Sequence, residues 1–310
     1  MKIAIVGTGG VGGYFGGKLA LSGNDVTFLA RGEHYQAILK HGLQIKSVSG
    51  DFRVYPAKVT SRLEDLGQPD LVVVSVKAWQ VRELAKEIKP LLDADSLVLP
   101  LQNGVMAAEE LAMEIDPGYI LGGLCRIFSM IESPGVIKHF GLDPVIVFGE
   151  LNNSNSDRIQ RIKRMFDEAG FTSIVTTDIQ TELWKKFILI CVGGILALTR
   201  SNYGEILAVP QIKELILQLL TEIYTVSVKA GAHVESDYVQ KCMHYILTYS
   251  KETTTSMARD IWEGKPSELE YQNGTVVKLG KKYGVETPVN KFIYTCLLPM
   301  EMKARKILTF

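Results

Sequence analysis

Residues 2–12 read Lys-Ile-Ala-Ile-Val-Gly-Thr-Gly-Gly-Val-Gly. The apolar run Ile3–Val6 predicts a strand, and it runs into Gly7-Thr8-Gly9-Gly10-Val11-Gly12, a G-x-G-x-x-G turn that opens a helical pattern. Gly7 suits the tight strand-to-helix turn, Gly9 lets backbone approach a pyrophosphate, and Gly12 lets the helix lie close to the sheet. Phosphates would sit on N–H groups at the positive end of the helix dipole, contacted by the backbone of Gly7, Thr8, Gly9, Gly10, Val11 and Gly12. Small residues recur at Gly9, Gly13, Gly17 and at Gly12, Gly16, Ala20, a helical spacing that suits close packing. Ser22-Gly23 reads as the helix stop and Asp25–Ala30 as the next strand, completing a βαβ start.

Arg31 follows that second strand, where an acid would take the ribose 2′-hydroxyl of NAD. A guanidinium there forks onto a 2′-phosphate, which a carboxylate would repel, so the chain favours NADPH/NADP+. Glu33, after Gly32, reads as the start of the next helix.

With 310 residues and 46% hydrophobic composition, the chain has length for about two domains and a substantial core. Lys+Arg and Asp+Glu both total 34, so no basic surplus points to nucleic acid or an anionic membrane. Cys125, Cys191, Cys242 and Cys296 are scattered, which predicts reduced, buried thiols in a cytoplasmic protein. Neither they nor the five histidines show metal-ligand spacing, so no metal site is expected. Met1-Lys2 leads directly into a core strand, without the pattern of a signal peptide. The longest apolar run, Phe187–Leu198, is too short for a membrane span and reads as a buried helix.

The first half alternates strands and helices. Leu71–Val76 reads as a strand buried on both faces, residues 80–89 as a helix ended by Pro90, and Ser96–Pro100 as another strand. Shorter strands are expected near Ile120 and at 136–140, 145–148 and 173–176, with a helix ending at Gly170. Ligands bind at the carboxyl ends of parallel strands, which makes Ser75-Val76-Lys77 and Gln102-Asn103-Gly104 candidate cofactor edges. After Asp178 the pattern turns helical, at about 179–199, 211–230, 237–248, 255–263, 268–283 and 289–305. The predicted fold class is α/β, a Rossmann-type doubly wound domain over 1–178 followed by an all-helical domain over 179–310.

Reduction of a ketone by hydride needs a proton donor for the new alkoxide. A lysine ammonium at the start of a buried helix near the domain junction suits that task, and Lys185 and Lys186 both stand there. The same placement suits a solvated pair flanking an apolar helix. Ser256 could bond a carboxylate and Glu268 could orient a lysine, while Ser267 followed by acids also reads as an ordinary helix start.

Gly7–Gly12, Arg31, Val74–Gln80 (VSVKAWQ), Leu101–Val105 (LQNGV), Glu182–Phe187 (ELWKKF), Thr254–Ile261 (TTSMARDI) and Ser267–Gly274 (SELEYQNG) occur in this order along nearly the whole chain. In these motifs the chain resembles the ketopantoate reductase (2-dehydropantoate 2-reductase) family. The resemblance implies NADPH-dependent reduction of a 2-oxo acid to a 2-hydroxy acid, with 2-dehydropantoate to pantoate, in pantothenate and coenzyme A biosynthesis, as the expected reaction. It implies Lys186 as general acid, Glu268 as its partner at the reacting oxygen, and Ser256 as a contact to the substrate carboxylate. Asn103 is similar to the family asparagine near the nicotinamide ribose and substrate, and Lys77 to a second cation near the adenosine phosphate. Alternatives are a related NADP-dependent 2-hydroxy-acid dehydrogenase with another substrate, and a non-catalytic NADP(H)-binding sensor. A homodimer paired through the helical domain is compatible with either.

The chain departs from that family pattern in one place. Asparagines four and eight positions after the lysine, which hold the substrate's distal hydroxyl in family members, are Ile190 and Gly194 here. Losing such donors costs roughly 1–3 kcal/mol each when the partner group is left unpaired. Gly193-Gly194 offers either room for a bulkier substrate or a close helix approach.

Overall fold

Ten strands build two sheets in the computed structural model, which describes residues 1–308. They are β1 (Lys2–Val6), β2 (Asp25–Leu29), β3 (Leu43–Ser47), β4 (Phe52–Val54), β5 (Lys58–Thr60), β6 (Leu71–Val74), β7 (Leu97–Pro100), β8 (Leu121–Ser133), β9 (Val136–Glu150) and β10 (Thr172–Val175). The first sheet is parallel, in the order β5-β2-β1-β6-β7, with Val6 opposite both Leu29 and Val74. Its strands alternate strictly. Ile3, Ile5, Leu71, Val73, Leu97 and Leu99 feed one core, and Ala4, Val6, Val72, Val74 and Val98 feed the other. Helices α1 (Gly10–Leu21), α2 (Gly32–His41), α3 (Val81–Ile88) and α4 (Ala107–Ala112) cover these strands, while α5 (Asp157–Glu168) packs against β10. Val81, Leu84, Ala85 and Ile88 of α3 pack into the second of the two cores.

The second sheet, in the order β10-β9-β3-β4 with β8 paired to β9, contains the strands expected near 120 and at 136–140, 145–148 and 173–176, but their separate sheet and the strands β3 and β4 are not in the sequence reading. It explains why α1 carries two rows of glycine. Side chains at Gly12 and Gly16 would collide with Ile5 and, at Gly16, Phe28 of the first sheet, whereas ones at Gly13 and Gly17 would press on Ile137, Ile45 and Phe52 around the second. The helix therefore lies between two sheets, and a single apolar stripe would not suffice. The expected strands at 136–140 and 145–148 are one strand, β9. Residues 141–144 form a bulge opposite Ile127, between the pairs Phe128–Phe140 and Arg126–Val145.

Residues 1–102 and 106–180 form one compact unit, and residues 103–105 together with 181 onward form the other. The described part of the second unit is helical: α6 (Ile179–Ile190, whose first two residues belong to the first unit), α7 (Gly193–Thr199), α8 (Tyr203–Leu207), α9 (Pro210–Lys229), α10 (Tyr238–Leu247), α11 (Ser256–Trp262), α12 (Thr275–Tyr283) and α13 (Pro288–Ala304). The single helix expected over 179–199 is thus two. Glycine at 193 and 194 weakens the helix, and the Asn273 side-chain amide donates to the Cys191 carbonyl at 3.2 Å, stabilising the break. The helix expected from residue 268 begins with a π turn over Glu270–Gly274. Cys125, Cys191 and Cys242 are buried as free thiols, but Cys296 is exposed, against the expectation for all four. No described helix is long and apolar enough to cross a membrane.

Candidate active site

At the glycine turn, Gly7 adopts φ +102°, and a Cβ there would stand 2.8 Å from the Ser75 carbonyl carbon. Only glycine meets both conditions without strain. Thr8 ties the turn to β2, its amide and hydroxyl both donating to the Leu29 carbonyl at 3.2 and 2.9 Å. The Thr8 hydroxyl and amide are therefore both struts, and the amides the turn offers a phosphate are those that follow Thr8. The Ser75 hydroxyl braces the other side, donating to the Gly7 carbonyl at 2.8 Å. Helix α1 makes its first internal bond from Gly13 N to Gly9 O at 2.8 Å, so the amides before it are not used by the helix. Space beside Gly9 is open to 4 Å, the approach a pyrophosphate requires. These residues fit a dinucleotide.

Arg31 is exposed and caps α2, directly beyond the end of β2. Lys77 lies in the loop after β6, its Nζ 5.8 Å from the Trp79 ring centroid. Gln102 joins the loops after β6 and β7, its amide nitrogen donating to the carbonyls of Val74 and Val76 at 3.0 and 3.1 Å. His34 Nδ1 accepts from the Gly135 amide at 3.0 Å, and burial holds its pKa below the ordinary value against an opposing bond to the Thr8 backbone. Among the described residues no group of three or more His, Cys, Asp or Glu could hold a metal.

The second unit brings two of the singled-out motifs together. Asn103 Nδ2 donates to Glu268 Oε2 at 3.4 Å, and a Cβ on Gly104 would stand 3.1 Å from the Tyr271 carbonyl. Glu268 is 5% exposed. Ser256 is the first residue of α11, whose cap Thr255 accepts from the Ala258 amide at 3.2 Å and abuts Gly193.

Adjacent lysines on α6 separate cleanly. Lys185 Nζ reaches Glu235 at 2.9 Å and Glu182 at 3.3 Å, and the Tyr238 hydroxyl donates to the Lys185 carbonyl at 3.1 Å. Burial works against the Lys185 charge, but the two carboxylates outweigh it and raise its pKa above the ordinary value. Lys186 lies half-buried about 100° further round the helix, on the face of Ile190. Gly194 is closed rather than roomy. A Cβ there would stand 2.5 Å from Asn273 Oδ1 and 2.7 Å from Ile293 Cγ2, and one on Gly193 would stand 2.7 Å from Thr255 Oγ1. The close helix approach is the reading that holds, and the room for a bulkier substrate is not there.

Sequence reading missed the partners of the residues flanking Glu268. Ser267 is fully buried and bonds Glu301, while Asn273 bonds Asn290 at 3.0 Å. The available signal was the spacing of Asn290, Tyr294, Leu297 and Glu301, a single helical face that mixes polar and apolar residues.

Comparison with known proteins agrees with this geometry at the level of family. The model described as "Ketopantoate reductase PanE/ApbA" matches residues 3–153, and its C-terminal counterpart matches residues 178–301. The Bacillus subtilis (strain 168) protein named "Uncharacterized oxidoreductase YkpB" is 31% identical over 96% of this chain and 98% of its own length. A crystal structure of 2-dehydropantoate 2-reductase from Geobacter metallireducens GS-15 is 30% identical, covers 96% of this chain and 99% of its own, and superposes with a TM-score of 0.90. The ternary structure of D-mandelate dehydrogenase with NADH and anilino(oxo)acetate shares the fold, with a TM-score of 0.90 over 98% of this chain and 100% of its own at 24% identity. Both halves of the chain are thus matched in order, and the chain belongs to the ketopantoate reductase family of oxidoreductases.

Proposed function

We propose that the protein reduces a 2-oxo acid to the corresponding 2-hydroxy acid with NADPH, and that the acid is 2-dehydropantoate. The observation that carries this is the Asn103–Glu268 contact, which joins the LQNGV loop to the carboxylate of the SELEYQNG turn. NADPH, when bound, supplies the hydride for the keto carbon. The glycine turn binds the pyrophosphate through its amides, and Arg31 takes the 2′-phosphate with Lys77 as a second cation. Lys186 stabilises negative charge on the keto oxygen and donates the proton that makes the hydroxyl. Glu268 keeps that lysine charged and aimed, Asn103 helps hold the oxygen's surroundings, and the Ser256 hydroxyl donates to the substrate carboxylate.

One observation favours a second reading, a 2-oxo acid without a distal hydroxyl. Ile190 has no donor and the Gly194 position is sealed by Asn273 and Ile293. The Asn273 amide nitrogen is occupied by Cys191 and Asn290. Both readings meet in one experiment, NADPH absorbance loss with a panel that pairs 2-dehydropantoate with its deoxy analogue and simple branched 2-oxo acids. Preference for 2-dehydropantoate supports the first reading, and preference for the deoxy analogue the second. Tight NADPH binding with no oxidation by any acid refutes both.

A further inference from the structure

Helix α13 grips the turn that carries Glu268 at three points. Asn290, Tyr294, Leu297 and Glu301 recur along one face. Asn290 Oδ1 accepts from Asn273 at 3.0 Å, while its own amide nitrogen donates to Glu222 Oε2 at 2.7 Å. The Tyr294 hydroxyl donates to Glu270 Oε2 at 2.5 Å. At the other end Glu301, 5% exposed, takes the Ser267 amide on both oxygens at 3.1 Å, the Ser267 hydroxyl at 2.5 Å and Arg305 Nε at 2.6 Å. Arg305 Nη2 donates in turn to the Ser267 carbonyl at 2.9 Å. The amide and hydroxyl of Ser267 are held by Glu301 in the last turn of α13 and its carbonyl by Arg305 just past that turn, one peptide bond before Glu268.

A buried carboxylate is a poor choice if stability alone is at stake, because apolar packing of the same volume does as well. What four directed hydrogen bonds provide is a fixed orientation. We propose that Glu301 is a positioning residue for Glu268, with Arg305 completing the clamp. The inference rests on the reading of Glu268 as the carboxylate at the reacting oxygen. Misplacement of a reacting group by about 1 Å costs on the order of 10²-fold in rate.

The test uses the full chain and the variants Glu301→Gln, Arg305→Met and Glu268→Ala, singly and with Glu301→Gln and Glu268→Ala combined. Turnover of 2-dehydropantoate with NADPH is measured alongside NADPH affinity. The expected result is a drop in kcat of about 10–100-fold in Glu301→Gln, a smaller drop in Arg305→Met, and NADPH affinity within about two-fold of wild type. In the Glu268→Ala background the Glu301 substitution should change kcat by less than about two-fold. Equal effects in both backgrounds, or full turnover in folded Glu301→Gln, overturn the clamp. Should Glu301→Gln fail to fold, Arg305→Met with unchanged kcat overturns it alone. Amide exchange provides a readout independent of activity. Faster exchange over 267–272 in either variant supports the clamp and unchanged exchange overturns it, including where the wild type does not turn over this acid. Full activity in Glu268→Ala removes the functional reading of Glu268 instead, with the exchange result standing apart.

Discussion

Replacing Gly194 by alanine adds one methyl group where the structure has no space for it. The new carbon would stand 2.5 Å from Asn273 Oδ1 and 2.7 Å from Ile293 Cγ2, both well inside contact distance. Ile293 and Asn273 are fully buried, so neither can swing into solvent. Overpacking of this kind costs about 1–3 kcal/mol. If Asn273 yields, its bonds to the Cys191 carbonyl and to Asn290 are strained as well, adding about 1–3 kcal/mol for stranded polar groups. The expected loss is therefore about 2–6 kcal/mol in the helical unit. Urea unfolding followed by tryptophan fluorescence reads it, because Trp184 and Trp262 both lie in that unit. Asn273→Ala removes the obstructing oxygen, so the double variant should be less destabilised than the sum of the singles by at least about 1 kcal/mol. A Gly194→Ala protein that unfolds within about 0.5 kcal/mol of wild type refutes the packing argument and reopens position 194 to substrate.

Lys186→Ala should retain NADPH binding, followed by fluorescence titration, while losing turnover about 10²–10⁴-fold. Lys185→Ala should do the opposite, keeping turnover and losing stability to urea by about 1 kcal/mol, since its ion pairs with Glu182 and Glu235 and its approach to the Tyr238 ring disappear. Arg31→Asp should weaken NADPH far more than NADH, and equal weakening of both would show that Arg31 does not read the 2′-phosphate. Burial pushes the Glu150 carboxyl upward, but bonds from Arg158 and Ser156 and the guanidinium charge outweigh it and hold the pKa below the ordinary carboxylate value. A lowered folded pKa contributes stability above the unfolded value and loses it as pH falls through the folded one. Wild type should therefore exceed Glu150→Gln in urea stability by about 1–3 kcal/mol at pH 7, with the gap narrowing in acid below about pH 4. A gap that stays constant down to pH 3 would contradict the assignment.

Features set by a few consecutive residues were legible in the sequence. The glycine turn is local, because Gly7 needs its positive φ and Gly12 its close approach whatever lies beyond. The doubly buried strand Leu71–Val74 announces itself by composition. Features decided by distant residues were not. β3 and β4 are short, and although Leu43 and Ile45 alternate with polar residues, it is the distant β9 that joins them into a sheet. The break at 191–192 is invited by Gly193 and Gly194 but is held by Asn273, 82 residues from Cys191, which no local pattern announces. Lys185 and Lys186 are equivalent by spacing, and the ion pair of Lys185 with Glu235 comes from another segment that the local sequence does not announce. Resemblance named Lys186 and Glu268, but the Glu301 clamp requires α13 to fold back on Ser267, which no linear pattern states.

Pairing of β3 with β9 also has a consequence for synthesis. Gln44 finds its parallel partner in Val136, so a nascent chain that has emerged only through β7 presents β3 with an open edge. Chains interrupted before the β8–β9 hairpin should therefore be captured by chaperones or aggregate, and fusions or split versions cut between residues 60 and 120 should not yield an independently stable amino-terminal fragment.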